Sequence, residues 1–270
     1  MSGKVVVVTG STRGIGRAIA VALAEAGHAV VVSSRSAQAV EALVADLAGS
    51  GAQACGIPCD VARESDLEAL LDHALNRYGR VDVWVNNAGV SAGYRPLDEL
   101  SAEEARSVVD INLTGTVLGC RLALAHFRAN GGGHVINMTG RGYRGDPTPY
   151  TAVYAATKAA VASLTRSLAA ENKGMPISVN AVVPGMVATD FYVDIETSPR
   201  LEATKDNWRY ALEAFGVPLA QVADEFVRLA DLPPGSQTGR IYSLLTPART
   251  ARGVFMMMGH RMSGRMKTES

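Results

Sequence analysis

The sequence predicts an α/β fold built on a doubly wound parallel sheet, with about seven strands and helices on both faces. Two observations predict it. Short apolar runs rich in β-branched residues recur along the chain, and stretches of helical periodicity separate them. Strand–helix–strand repetition implies right-handed crossovers. The 270 residues, 47% of them hydrophobic, provide enough apolar surface for a sizeable core.

The individual elements follow from the same two patterns. Nearly continuous apolar runs of a few residues are typical of strands buried on both faces. They predict strands at 5–9, 29–33, 81–86, 134–138 and 177–183, with weaker candidates at 53–58 and 240–244. Amphipathic periodicity predicts helices at 16–26, 38–47, 64–78, 102–127 and 153–172.

We expect residues 1–245 to form a single domain, because neither a low-complexity linker nor an internal repeat interrupts them. The segment at about 190–217 is polar, aromatic-bearing and weakly periodic. An insertion there would lie at the carboxyl edge of the sheet, where ligands bind. The tail at 246–270 is atypical: arginines flank three consecutive methionines without clear periodicity. A subunit contact or a partly disordered end is favoured over a nucleic-acid-binding arm.

Composition excludes several classes of function. Basic and acidic residues number 26 each, so zero net charge predicts neither nucleic acid nor membrane as a partner. Cys55, Cys59 and Cys120 are an odd number without CxxC spacing, which favours free thiols in a reducing compartment. The scattered histidines show no metal-ligand spacing. Without a signal sequence or an obvious membrane span, the protein is expected to be cytoplasmic and soluble.

A glycine-rich turn follows the first strand and opens the first helix. Small residues let the backbone approach a pyrophosphate, and the helix N-terminus offers N–H groups and a positive dipole end. The spacing is GxxxGxG rather than GxGxxG, and a tight turn without a ligand is the alternative. Its position after the first strand favours dinucleotide binding. The predicted cofactor-binding residues of this turn are Gly10, Ser11, Thr12, Arg13, Gly14, Ile15 and Gly16.

The end of the second strand indicates which dinucleotide binds. An NAD site commonly places an acidic residue there to bind the ribose 2′-hydroxyl. Ser34 stands at that position, with Arg35 beside it and Arg13 in the glycine turn. Two guanidinium groups without a repelling carboxylate favour a 2′-phosphate, although both could be solvated surface charges. We therefore predict NADP(H) in preference to NAD(H).

Five motifs occur in the order seen in short-chain dehydrogenases/reductases. They are TGSTRGIG at 9–16, NNAG at 86–89, Asn112 within DINLTG, the Tyr154–Lys158 pair in YAATK, and PGMVATD at 184–190. The chain resembles that family over roughly residues 3 to 190. The resemblance implies a single Rossmann-like domain, assembly into a homo-oligomer (dimer or tetramer), and hydride transfer between NAD(P)(H) and a carbonyl or alcohol.

Chemistry supports the catalytic pair that the resemblance implies. A spacing of four places Tyr154 and Lys158 on one helix face. A tyrosine pKa near 10 is too high for acid–base work at pH 7, but a nearby ammonium stabilises the phenolate and lowers that pKa. Tyr154 would then protonate a carbonyl oxygen or deprotonate an alcohol. The resemblance further implies that Lys158 holds the nicotinamide ribose and that Asn112 anchors a proton-relay water.

The resemblance also assigns the remaining cofactor contacts. Asp60 and Val61 would lie against the adenine, and the segment from Asn86 to Gly89 would line the cofactor channel. The nicotinamide end would be flanked by residues after the sixth strand. The further cofactor-binding residues implied in these segments are Asn87, Ala88, Gly89, Pro184, Gly185, Val187 and Thr189.

One residue of the family pattern is missing. The family places a serine after the fifth strand to bind the substrate oxygen, but Gly140 or Arg141 occupies that position, depending on the alignment. Losing one such donor typically costs roughly 10²–10³ in rate. Either Thr139, Arg141 or Tyr143 reaches the substrate oxygen, or a polar substrate fills the gap beside Gly140, or carbonyl reduction has been lost. The first two together are favoured.

The sequence thus predicts an NADP(H)-dependent oxidoreductase that interconverts a carbonyl and a secondary alcohol on a small polar substrate, with Tyr154 as acid/base. A cofactor-binding regulatory or scaffold protein without turnover is the alternative. A non-redox lyase or isomerase is a third possibility with less support, because the acid/base pair suits hydride chemistry.

Overall fold

The computed structural model describes residues 3–189, 196–204 and 207–263. Its centre is a seven-stranded parallel sheet in the order β3–β2–β1–β4–β5–β6–β7, which confirms the predicted fold class and strand number. Both weaker strand candidates belong to this sheet. The strands are β1 (Val5–Val8), β2 (Ala29–Ser34), β3 (Ala54–Pro58), β4 (Val83–Asn86), β5 (Gly133–Met138), β6 (Ile177–Val183) and β7 (Ile241–Ser243).

Helices cover both faces of the sheet. They are α1 (Gly14–Glu25), α2 (Ala37–Gly49), α3 (Glu64–Tyr78), α4 (Ala102–Val109), α5 (Gly115–Ala129), α6 (Ala152–Glu171), α7 (Asn207–Phe215), α8 (Leu219–Asp231) and α9 (Pro247–Met262). Short 3₁₀ turns occupy Leu97–Glu99 and Pro199–Thr204, and a π-helical turn occupies Asp110–Thr114. The two layers of helices bury the sheet completely at its centre.

The alternating orientation of the side chains along β1 shows why the central strands are apolar at every position. All four valines of β1 are fully buried. Val6 and Val8 join the core cluster under α1, α2 and α8, whereas Val5 and Val7 join the cluster under α3 and α5. Because successive side chains point to opposite faces, a strand between two helical layers needs apolar residues at every position.

The topology creates a crevice at the carboxyl edge of the sheet. From β1 the chain winds through β2 to β3, then crosses back through α3 to β4 on the other side of β1. Ligands of doubly wound sheets bind where the winding reverses in this way. The glycine turn after β1 therefore lies beside the segments that follow β4, β5 and β6.

The helix predicted at 102–127 is interrupted by the π-helical turn. Asn112, fully buried at its centre, exchanges two hydrogen bonds with the backbone of Val90 (2.8 and 2.9 Å), and the Thr116 hydroxyl donates to its carbonyl. The two bonds with Val90 come from tertiary structure, so periodicity did not reveal the interruption. By length and composition alone, Ala102–Ala129 could span a membrane, contrary to our expectation. Within α5, however, one face packs on the sheet as in a core helix.

The tail contains a helix, although the sequence indicated no clear periodicity there. Thr246 caps α9 by accepting a hydrogen bond from the backbone N–H of Arg249, and Pro247 occupies the first turn. Part of the predicted insertion is also ordered, as Pro199–Thr204 and α7. Phe191 and Tyr192, two of the aromatic residues of this segment, lie outside the described residues, as does the end of the tail.

Candidate active site

A cleft of about 1110 Å³ opens at the carboxyl edge of the sheet and gathers most of the predicted site residues. The glycine turn forms one end, and Tyr154 with Lys158 contributes the wall beside β5. The predicted residues that line it are Gly10, Thr12, Arg13, Gly14, Ile15, Gly16, Ser34, Arg35, Asp60, Val61, Asn87, Ala88, Gly89, Thr139, Gly140, Arg141, Tyr154, Lys158, Pro184, Gly185 and Thr189.

The glycine turn has the geometry of a phosphate cradle. Gly10 and Gly14 adopt positive φ angles of 62° and 52°, which side chains disfavour. A Cβ on Gly16 would lie 2.2 Å from the Gly10 carbonyl oxygen. Arg13, the N-cap residue of α1, makes no side-chain capping bond, so that end of the helix keeps its backbone N–H groups for a ligand. The residues present therefore fit a dinucleotide pyrophosphate.

Arg13, Ser34 and Arg35 lie together along the cleft wall near this turn. Both arginines are exposed, and neither forms an ion pair with another described residue. The end of β2 therefore presents positive charge that the protein itself does not neutralise. Such an arrangement suits a phosphate monoester.

Lys158 brings a buried amine to the other end of the cleft. Its side chain is 3% exposed, and Nζ donates a hydrogen bond to the Met138 carbonyl oxygen (3.1 Å). Burial lowers the pKa of Lys158 to about 8. Nζ lies 5.4 Å from the centre of the Tyr154 ring, as the four-residue spacing predicted. Below its pKa, the ammonium favours negative charge on a nearby oxygen.

Gly140 faces the Tyr154 hydroxyl directly. A Cβ on Gly140 would stand 2.7 Å from that oxygen, closer than real Cβ contacts come. The hydroxyl thus occupies the space that a side chain at position 140 would need. Position 140 also supplies no side-chain donor, so a substrate oxygen in this part of the cleft depends on other groups.

The three donor candidates around Gly140 are placed very differently. Thr139 lines the cleft, but its hydroxyl donates to the Lys158 carbonyl oxygen (2.8 Å) and is buried. Among the described residues that line the cleft, Tyr143 is absent; its hydroxyl accepts a hydrogen bond from Arg144. Arg141 lines the cleft and is exposed, so its guanidinium is the candidate that remains available to a ligand.

Three other predicted residues lie behind the cleft wall. The Ser11 hydroxyl is buried and exchanges hydrogen bonds with the backbone of Ser33, which ties the glycine turn to β2. Val187 packs in the core. Asn112 does not reach the cleft, because both polar atoms of its side-chain amide bind the backbone of Val90, which does line it. These residues position the wall and do not contact the cleft with their polar groups.

Residues from α4 and from the segment before it also line the cleft; the sequence predicted a pocket wall at 91–97 but not the residues of α4. Arg95 is nearly buried and forms ion pairs with Glu104 and Glu196. The spacing of Ser101 and Glu104 does predict the capping box that begins α4. The capping box, however, does not indicate that α4 faces a ligand. The cleft residues contributed by this region are Ser91, Ala92, Gly93, Arg95, Ser101, Glu103, Glu104, Ser107, Val108 and Ile111.

Known proteins share both the sequence and the fold. The family model described as short chain dehydrogenase matches residues 4–199. Chlorophyll(ide) b reductase NOL of Oryza sativa subsp. japonica is 40% identical over 229 residues, which cover 82% of this chain and 65% of that protein. L-fucose dehydrogenase of Oryctolagus cuniculus is 37% identical over 235 residues, covering 85% and 79%.

The chain spans only 40 to 65% of the length of its first three curated relatives. Among solved structures, actinorhodin polyketide ketoreductase with NADPH has a TM-score of 0.78 at 30% identity, covering 90% of this chain and 95% of that one. The 3-ketoacyl-(acyl-carrier-protein) reductase of Brucella melitensis, complexed with NADH, has a TM-score of 0.79 at 26% identity, covering 92% and 98%. The chain belongs to the short-chain dehydrogenase family.

Proposed function

We propose that the protein is an NADP(H)-dependent oxidoreductase that interconverts a carbonyl and a secondary alcohol on a small polar substrate. The observation that carries the proposal is the juxtaposition in one cleft of the phosphate cradle, Tyr154 and the buried amine of Lys158. Relatives named as reductases and dehydrogenases support the reaction class.

Tyr154 is proposed to be the acid/base. When bound, the cofactor would supply or accept the hydride. The Tyr154 hydroxyl would then give its proton to the carbonyl oxygen, or take the proton of the alcohol in the reverse direction. Lys158 would stabilise the resulting phenolate, because its charged form prevails below a pKa of about 8 and its Nζ lies near the ring. Asn112 would act as a positioning residue through Val90.

We propose that Arg141 binds a polar or anionic group of the substrate. Gly140 has no side chain, and the Thr139 hydroxyl donates elsewhere, whereas Arg141 lines the cleft without an ion pair to another described residue. Its guanidinium can bind a carboxylate or another polar group of the substrate, and so align the carbonyl with Tyr154. This favours an anionic or strongly polar substrate over a simple ketone.

The preference for NADP(H) over NAD(H) is supported by Arg13 and Arg35 near the glycine turn. The two solved neighbours described above contain NADPH and NADH respectively, so similarity leaves the choice to these residues. A 2′-phosphate beside both guanidinium groups would form charge-assisted hydrogen bonds that NAD(H) cannot form.

The proposal is tested with purified protein, a panel of small carbonyl compounds and alcohols, and both cofactors. We expect turnover with NADPH or NADP⁺, and Tyr154→Phe should abolish it while binding the cofactor as tightly as the wild type. Cofactor binding without turnover on any substrate in either direction would favour the scaffold alternative. Turnover that survives Tyr154→Phe would remove Tyr154 from the mechanism.

We also propose a homo-oligomer in a reducing compartment such as the cytoplasm. Short-chain dehydrogenases are commonly oligomeric, and Cys55, Cys59 and Cys120 are free and buried. Light scattering after gel filtration tests the first part. A mass equal to one chain across the working concentration range would contradict it.

A further inference from the structure

The outward face of α9 carries an apolar stripe that no described residue covers. Val254, Phe255, Met258 and Met262 are 47, 79, 61 and 89% exposed. With the exposed Ala248 and Ala251 they form the outward stripe. At about 100° per residue, these six positions fall within about 120° of the helix circumference. Large apolar side chains clustered in this way on a soluble surface mark an interaction site.

The opposite face of α9 holds the helix to the protein. Gly253 packs so closely on Phe215 that an added Cβ would lie 2.3 Å from its ring. The His260 ring lies 4.5 Å from the Tyr210 ring, and its Nε2 is 3.6 Å from a carboxylate oxygen of Glu213. Because these contacts anchor α9 on α7, the outward stripe contributes little to the fold and can be changed without removing the helix.

Positive charge borders the outward stripe on both sides. Arg252 and Arg261 flank the apolar arc at opposite edges, are exposed, and form no ion pair within the described part of the chain. By contrast, Arg249 lies away from the stripe and binds Leu244 and Gln221. The helix contains neither Asp nor Glu. An apolar stripe with cationic edges is the pattern of a helix that lies in a membrane interface.

We propose that α9 binds the surface of an anionic lipid bilayer, with the outward stripe at the acyl chains and the two arginines at lipid phosphates. A second copy of the chain fits this face poorly, because pairing two such stripes brings arginines together without a carboxylate on either helix. From the zero net charge of the chain we expected no membrane partner. Net charge is a sum over the whole chain, so it does not show the local excess of positive charge on α9.

The test measures binding of the full chain to vesicles by sedimentation. One set of vesicles contains phosphatidylcholine alone, and the other contains equal parts of phosphatidylcholine and phosphatidylglycerol. We expect binding to the anionic vesicles. The triple variant Phe255→Ser, Met258→Ser, Met262→Ser should lose at least about tenfold in partition coefficient. Arg252→Gln with Arg261→Gln should lose about 30-fold on anionic vesicles.

Two controls match these variants. Met175→Ser removes an exposed methionine outside α9, and Arg166→Gln removes an exposed arginine on α6; both should bind like the wild type. Unchanged thermal unfolding would show that the variants fold. The proposal is wrong if the wild type does not bind anionic vesicles, or if the triple variant binds equally well. The proposal would also be overturned if the wild type does not bind vesicles but self-associates, or binds an acidic amphipathic peptide, and the triple variant loses that interaction. None of these outcomes depends on the oxidoreductase proposal.

Discussion

The hydroxyl oxygen of Tyr154 lies 2.7 Å from the point at which a Cβ atom on Gly140 would stand. Contacts this short do not persist in proteins, so a side chain at 140 and the present position of the hydroxyl exclude each other. The hydroxyl is the far end of a side chain that can rotate. A substitution at 140 should therefore displace Tyr154 and leave the fold in place.

Gly140→Ser should accordingly lower turnover, although it restores the residue that the family places near this position. A Tyr154 hydroxyl displaced by about 1 Å loses its alignment with the substrate carbonyl, which can cost about 10²-fold in rate. Steady-state kinetics with the best substrate found would measure this, and the affinity for NADPH should not change.

Gly140→Ala is the matched variant, because the steric conflict comes from the Cβ alone. It should lower turnover as much as Gly140→Ser does. A gain in activity for the serine variant, on generic ketones for instance, would show that the hydroxyl accommodates a side chain at 140. The glycine would then mark a weakened site that the serine repairs.

Arg35→Ala should raise the KM for NADPH about 10- to 100-fold and leave the KM for NADH nearly unchanged. A charge-assisted hydrogen bond contributes roughly 1.5–3 kcal/mol, and only NADPH has the 2′-phosphate that would form it. Arg13→Ala should act in the same direction. The control is Arg17→Ala, on α1, where the guanidinium pairs with Asp46. Equal losses for both cofactors would contradict the proposed selectivity.

Local patterns accounted for the fold better than for the cleft. The buried valines of β1 and the glycines after it predicted a strand and a tight turn, because both follow from local sequence. The π-helical turn around Asn112 depends on hydrogen bonds to Val90, twenty-two positions earlier, and so was not predicted.

The donors around Gly140 illustrate the same limit. The sequence places Thr139, Arg141 and Tyr143 in one loop and does not indicate which of them binds the substrate oxygen. Which of their polar groups is available to a ligand depends on partners elsewhere, such as the Lys158 carbonyl oxygen that accepts a hydrogen bond from the Thr139 hydroxyl. The helix α9 was missed for a different reason. Met256, Met257 and Met258 are consecutive, so at about 100° per residue they spread around the helix and obscure the periodicity of the outward stripe.

Lys158→Met should change how stability depends on pH. Burial lowers the pKa of Lys158 in the folded protein to about 8, against 10.5 when unfolded. Between these pH values the unfolded chain binds more protons, so the wild type gains stability as the pH rises from 8 to 10.5. The gain is up to about 3 kcal/mol, and the variant lacks it. Relative to the variant, the wild type is therefore least stable below pH 8.

Urea unfolding of both proteins at several pH values between 7 and 10.5 measures the difference. Subtracting the free energy of unfolding of the variant from that of the wild type cancels the contribution of every group that titrates equally in both proteins. Lys173→Met provides the control, since that lysine is exposed. A difference between wild type and Lys158→Met that stays constant over this range would mean that burial does not lower the pKa of Lys158 in the folded protein.

His134→Gln should make the protein more resistant to acid. His134 is buried at the start of β5, and burial lowers its pKa to about 4, against 6.5 when unfolded. As the pH falls from 6.5 to 4 the unfolded chain takes up a proton that the folded chain excludes. The wild type should therefore lose up to about 3 kcal/mol over this interval. Glutamine does not titrate, so its variant should lose less.

The glutamine is chosen because it can keep the hydrogen bond that the ring accepts from Asn180. Nε2 of His134 lies 2.9 Å from the Nδ2 donor of Asn180 and therefore accepts from it, and a glutamine carbonyl oxygen can accept in its place. Denaturant midpoints at pH 7 and pH 4.5 give the comparison. If both proteins lose the same stability on acidification, His134 is not the group that makes the fold sensitive to acid. If the variant is already much weaker at pH 7, the glutamine has failed to replace the ring, and His134→Asn then repeats the comparison with a shorter amide.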